Sequence, residues 1–288
     1  MDCASLSNGI APNGSSAGRP QPQGKIISCD RPDTAPKRAL DRRPRLLGNT
    51  SFVWLLRRTK PAPSSQASVT MTSQKSIFLS GEGDAWFERN LAALGHKGTD
   101  LVVGEMLSLQ VQPKLIAEIG CGEGERLSLL RDKFGSRCWG FDPSTKAVAH
   151  GRATYPGIAF EIGTADRIDL PDSSVDTLIF GFCLYLTDPR DYFKIAAEAD
   201  RVLVDGGLVA ILDFSPRHVF KNAYSHRTGV FAHKMDFSRI FTWNPAYRLI
   251  SRRYTEHGSS FTYDENESIC LDFIKKDWAK AFPKSPQY

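Results

Sequence analysis

A chain of 288 residues, 41% of them hydrophobic, is long enough to bury one sizeable core and to carry a tail besides. Its net charge of +5 is unevenly placed: residues 1–70 hold eleven Lys/Arg against four Asp/Glu, and residues 71–288 hold 26 against 28. The folded part thus has no basic excess to drive nucleic-acid binding, and with no run of 18 apolar residues it has no candidate membrane span.

Residues 1–74 read as a disordered N-terminal segment and residues 75–288 as the folded domain. Eight of the seventeen prolines fall within the first 70 residues, among many Gly, Ser and Arg. The one apolar run there, Ser51 to Leu56, is too short to offset the entropy of ordering the segment. Three readings stand open: a transit-like targeting segment, an interaction tail, or sequence upstream of a start at Met71. The last is favoured, because Met71-Thr-Ser leads directly into a helical pattern.

From residue 80 the texture changes. Asp84 is positioned to cap a helix through Leu94, ended by Gly95, and Thr99 to cap a second with Leu101, Val102, Met106, Leu107 and Leu109 on its apolar face. Lys114–Ile119 reads as a buried strand, followed by a helix from Glu123 to Phe134 stopped at Gly135. Arg137–Phe141 is a strand. Pro143 takes the first position of a helix that ends before Pro156. Strands follow at Ile158–Ile162 and Val175–Cys183. Asp188 caps a helix running to about Leu203, with Pro189 at its first position. Asp205 to Gly207 is a turn and Leu208–Phe214 a strand. Residues 215–246 read as irregular and aromatic, and Tyr247–Glu256 and Ser268–Asp277 as a closing antiparallel pair. Strand–helix alternation with short connections predicts an α/β fold. The expected form is a Rossmann-like three-layer sandwich, with a mostly parallel seven-stranded sheet and a C-terminal antiparallel hairpin. Six cysteines without a CxxC pair or a zinc-like His spacing suggest free thiols, a cytoplasmic setting and no metal.

The chemistry concentrates after the first strand, in Glu118-Ile-Gly-Cys-Gly-Glu-Gly124. Glycines between a strand and a helix let the backbone approach a ligand closely at the positive end of the helix. A dinucleotide fingerprint would need glycine at 125, where the chain has Glu125. Asp142 ends the next strand, twenty residues after Gly122, where an acid can accept both hydroxyls of a ribose. Gly163-Thr-Ala165 follows the third strand. Asp172-Ser-Ser-Val-Asp176 leads into the fourth, which ends in Gly181-Phe-Cys-Leu-Tyr185.

Taken together, E-x-G-x-G-x-G, the strand-end Asp, G-T-A, L-P-x-x-S-V-D and L-x-x-G-G across residues 114–213 resemble the class I S-adenosylmethionine-dependent methyltransferases, in the small-molecule branch. The resemblance implies S-adenosyl-L-methionine as cofactor. Gly120, Cys121, Gly122 and Gly124 would line its methionine and ribose, with Glu118 supporting the loop and Asp142 on the ribose. Thr164 and Ala165 would meet the adenine, and Phe182 the sulfonium side. The branch usually has Asp where Thr164 stands, which leaves Asp166 as the alternative adenine contact. The opening Gly81 to Asn90 is similar to methyltransferases of bacterial surface-sugar and nonulosonate gene clusters. On that helix Trp86 and Phe87 read as packing, while Arg89 or Asn90 could reach the methionine carboxylate or the substrate.

Segment 215–246 reads as a lid over the acceptor. It carries Arg217, Asn222, Tyr224, His226, His233, Lys234 and Asp236, whose three-His spacing (with His218) fits no metal motif. Tyr185, Asn222, Tyr224 and Lys234 are the candidate substrate residues. His226 or His233 would act as a base if the acceptor keeps its proton. The expected activity is methyl transfer to oxygen or carbon of a small molecule, sugar-related or a secondary metabolite, with no nucleic-acid or membrane partner and an open oligomeric state. Two other function classes stand beside it: a non-catalytic S-adenosylmethionine-binding protein, and an RNA or protein methyltransferase. Gly181-Phe-Cys-Leu184 lacks the N-P-P-Y/F pattern of base-amino methylation.

Overall fold

The computed structural model describes residues 73–92, 100–256, 265–282 and 284, so the readings of residues 1–72, Gly95 and Thr99 lie outside the described residues. The strands are β1 (Leu115–Ile119), β2 (Arg137–Asp142), β3 (Ala159–Ile162), β4 (Val175–Gly181), β5 (Leu203–Phe214), β6 (Phe220–Ala223), β7 (Phe231–Lys234), β8 (Tyr247–Glu256) and β9 (Ser268–Lys276). The α-helices are α1 (Gln74–Ile77), α2 (Gly83–Asn90), α3 (Leu101–Ser108), α4 (Glu125–Phe134), α5 (Thr145–Thr154), α6 (Tyr192–Val202) and α7 (Arg239–Thr242). Among them no helix is long and apolar enough to cross a membrane.

Seven strands form one sheet in the order β3-β2-β1-β4-β5-β9-β8. The first five run parallel, and β9 is antiparallel to both β5 and β8, as the closing pair of the sequence requires. The central strands are buried on both faces, which is why β1 and β4 are mostly apolar without a strict alternation. Successive residues of β1 feed two cores. Leu115, Ala117 and Ile119 pack with Ile195, Ala199 and Val202 of α6, while Ile116 packs with Met106 of α3 and Leu127 and Leu130 of α4. The chain steps outward from β1 to β2 and β3, then returns to β4 on the other side. That reversal opens a crevice at the carboxyl ends of β1 and β4, the usual ligand position in such sheets.

Several local expectations change. The cap of α3 is Asp100, whose carboxylate accepts N–H bonds from Val102 and Val103. Asp84 does not cap its own helix. It reaches across to α5, accepting from the Ser144 and Thr145 hydroxyls at 2.7 and 2.8 Å and from Lys146 N at 3.0 Å. Pro143 precedes the true cap of α5, Ser144. Pro189 opens a short 3-10 turn, Pro189–Asp191, that leads into α6. Asp205 to Gly207 is a bulge inside β5: Val175 pairs with Leu203 and Thr177 with Leu208, which leaves four residues for one on the partner, with Gly206 at φ 83°. Segment 215–246 is not wholly irregular, since β6 and β7 form a separate antiparallel ribbon.

Candidate functional site

A cavity of about 720 Å³ opens at the crevice, lined by residues from both halves of the sheet and from the ribbon. Its floor is the turn between β1 and α4. Gly120, Gly122 and Gly124 all have positive φ, at 73°, 53° and 88°, where a side chain is strained. Their surroundings differ. A Cβ on Gly120 would lie 2.6 Å from the Cys183 Cβ, and one on Gly124 would lie 2.3 Å from the Phe160 ring. At Gly122 it would meet nothing within 4 Å. Gly120, Cys121 and Gly122 face the cavity, whereas Gly124 is absent from its lining and serves the packing of α4 on β3.

Asp142, half-buried at the end of β2, accepts from Gly122 N through one oxygen and from Ser144 N through the other, both at 2.9 Å. Burial pushes its carboxyl up to about 6, against the pull of those two N–H groups. Beneath the turn, Glu118 is 1% exposed and pairs with Arg126 of α4, whose Nε also donates to Asp100 at 2.8 Å. Thr164 and Ala165 line the cavity beyond Asp142. Asp166 lines it too, but its carboxylate already accepts from the Thr164 hydroxyl at 2.8 Å, Lys75 at 2.5 Å and Lys194 at 2.9 Å. Burial alone would raise its pKa; the bonds from Lys194, Lys75 and Thr164 hold it well below the carboxylate range.

The other end of the cavity is aromatic. Phe182 sits at φ 50° just after β4, and Phe182 and Tyr185 both set their rings edge-on to Phe214, with centroids at 5.6 and 5.0 Å. This loop is tied down by Asp213, 1% exposed on β5, which accepts from Phe214 N at 2.7 Å, Leu184 N at 2.9 Å and Tyr185 N at 3.3 Å. Burial pushes the Tyr185 phenol up, so the hydroxyl keeps its proton. Lys234 is 5% exposed, lies 3.7 Å over the Phe214 ring, and donates to Glu267 at 2.6 Å and to Asn266 O at 2.8 Å. Asn222 lines the same wall and donates to Asn266 Oδ1 at 2.7 Å.

The ribbon separates the candidates by strand alternation. Phe220 pairs with Lys234 and Asn222 with Ala232, so Asn222, Ala232 and Lys234 share the cavity face. His233, one residue from Lys234, pairs with Lys221 on the opposite face and is absent from the lining. His226 and Tyr224, in the turn of the ribbon, do line the cavity, with rings 5.3 Å apart. Arg89 is drawn away from it: its guanidinium pairs with Glu82 at 2.6 Å and donates to the Tyr224 hydroxyl at 3.0 Å. Trp86 and Asn90 of the same helix line the wall instead, while Phe87 is buried. Sequence reasoning missed Lys75, Phe78, Arg126 and Asp213. For Asp213 a signal existed, a lone acid in the apolar run Leu208 to Phe214; the others give none without the fold.

The residues present fit S-adenosylmethionine. Gly122 presents bare backbone to open space, and both Asp142 oxygens retain lone pairs beyond their one N–H bond each. The sheet order, the glycine turn and the strand-end acid define a Rossmann-like domain, and residues 116–207 match the family described as a methyltransferase domain. Over this stretch the chain is similar to S-adenosylmethionine-dependent methyltransferases. A probable S-adenosylmethionine-dependent methyltransferase of Mycolicibacterium smegmatis is 30% identical over 156 residues, covering 52% of this chain and 55% of that protein. The demethylmenaquinone methyltransferase of Thermus thermophilus is 32% identical over 117 residues, covering 38% and 51%. The chain spans about half the length of these curated relatives. The fold is shared with the 1,6-didemethyltoxoflavin-N1-methyltransferase of Burkholderia thailandensis, at a TM-score of 0.55 and 13% identity over 70% of this chain and 87% of that one.

Proposed function

We propose that the protein transfers a methyl group from S-adenosylmethionine to a small-molecule acceptor held between the glycine turn and the β6–β7 ribbon. The observation that carries this reading is the continuity of one cavity, which runs from Asp142 and Thr164 past Phe182 to Tyr185, Asn222 and Lys234. Its volume and mixture of aromatic and hydrogen-bonding walls suit a small ligand beside the cofactor. The near-neutral charge of residues 71–288 gives a polyanion no electrostatic driver. The demethylmenaquinone methyltransferase relative acts, by its name, on a small molecule.

The cofactor supplies a methyl group on a positively charged sulfur, a leaving group that needs no protonation. The protein's task is therefore alignment and exclusion of water. Asp142 would accept the ribose hydroxyls, Thr164 and Ala165 would border the adenine, and Phe182 would stand on the side of the sulfonium. Tyr185, Asn222 and Lys234 orient the acceptor. Where that acceptor is a hydroxyl, His226 is the side chain on this wall that can take its proton. Calorimetry with S-adenosylhomocysteine tests the reading. Asp142→Ala loses bonds worth about 1.5–3 kcal/mol each, so affinity drops at least about tenfold. Unchanged affinity in a folded variant contradicts the cofactor site.

A further inference from the structure

Arg126 stands out among the cavity residues that the motifs did not anticipate. It lies in the first turn of α4, yet its side chain runs beneath the glycine turn and lines the cavity. Nε donates to Asp100 and Nη1 to Glu118, and the side chain is only 15% exposed. The pair sits against the end of β4: a Cβ on Gly181 would lie 2.5 Å from Glu118 Oε1 and 2.8 Å from Arg126 Nη1. The bare Gly181 backbone is what lets the guanidinium reach the residue before Phe182. Burial works against a charge here, but Glu118 and Asp100 hold the guanidinium protonated throughout the physiological range.

We infer that Arg126 recognises the carboxylate of the cofactor's amino-acid tail, an assignment that rests on the methyl-donor reading above. If Asp142 and Thr164 hold ribose and adenine on one side of the turn, the lining left for the tail on the other is Glu118, Arg126 and Gly181. Among the described residues, the cationic side chain lining that end is Arg126, since Arg89 is committed to Glu82 and Tyr224. Two N–H directions of Arg126 are fixed by Asp100 and Glu118. Nη2 makes no hydrogen bond among the described residues and presents its donors to a planar carboxylate. Glu118 and Asp100 place negative charge beside the guanidinium, so the cluster offers groups of both signs, as a zwitterionic tail needs.

The test compares two ligands on the full chain by calorimetry: S-adenosylhomocysteine, and 5′-methylthioadenosine, which lacks the amino-acid tail. Arg126→Gln should weaken S-adenosylhomocysteine at least about tenfold and leave 5′-methylthioadenosine within about twofold. Arg126→Lys, which keeps a charge, should recover part of the loss. Equal weakening of both ligands overturns the inference, since a purely structural Arg126 would disturb the whole turn. Should Arg126→Gln fail to fold, the wild-type protein decides. It should bind decarboxylated S-adenosylhomocysteine at least about tenfold more weakly than the intact ligand, and equal affinity overturns the assignment. If wild type binds neither S-adenosylhomocysteine nor 5′-methylthioadenosine, the methyl-donor reading fails first and takes this one with it.

Discussion

At the residue scale, Asp142 carries the largest functional consequence and a definite pH signature. Its carboxyl is pushed up to about 6 by burial, so it exchanges protons near neutrality. On the proposed reading a ribose hydroxyl would donate to the ionised form, and protonation would remove that acceptor. Affinity for S-adenosylhomocysteine should therefore be flat above about pH 6.5 and fall as pH drops below 6, by up to about tenfold per unit. Stability moves the other way. A carboxyl raised above its unfolded value of 3.8 binds its proton more tightly in the folded state. Its contribution is greatest below the unfolded value and is lost as pH rises toward 6. Calorimetry across about pH 5 to 8 checks the first statement, and an affinity independent of pH contradicts it. The glycines show why a motif hides its parts. In the sequence Gly122 and Gly124 look alike, but one clears the cavity and the other clears Phe160.

At the element scale, the cavity mouth is framed by the segment from α1 to α2, which is anchored at both ends. Asp84 ties α2 to the start of α5. Gln74, 3% exposed, ties α1 to the far wall: its amide donates to Leu186 O at 2.8 Å and Phe231 O at 3.1 Å and accepts from Phe231 N at 2.6 Å. Its backbone N–H adds a bond to Asp188 at 2.9 Å. Gln74→Ala leaves part-buried backbone groups of β7 and of the loop after β4 without this partner, at a cost of about 1 kcal/mol. Amide hydrogen exchange over residues 73–90 should quicken while β1 and β4 stay protected. Unchanged exchange in that segment would mean the clasp contributes nothing to its docking. None of this was legible beforehand, because a four-residue helix has no measurable periodicity and its partners lie more than a hundred residues away. The β6–β7 ribbon was missed for a related reason. Strands of four residues show too little alternation, and the ribbon's register is what separates Lys234 from His233.

At the scale of the molecule, the sheet was readable because parallel strands buried on both faces leave apolar runs, and β2 ends at Asp142 and β4 at Gly181. The meeting of the glycine turn and Asp142 was readable for the same reason: they are local in sequence and joined by one hydrogen bond in space. At the acceptor end the sequence named Tyr185, Asn222, Tyr224, His226 and Lys234, which line the cavity, but not Lys75, Phe78 or Glu267, which join them only through the fold. What the cavity does is settled most directly by one measurement. The purified full chain is incubated with S-adenosylmethionine labelled in its methyl group and with a source-cell extract separated into small-molecule, RNA and protein fractions. The label should enter the small-molecule fraction with wild type and fall away with Asp142→Ala. Label that enters the RNA or protein fraction instead, or that transfers equally with Asp142→Ala, contradicts the account.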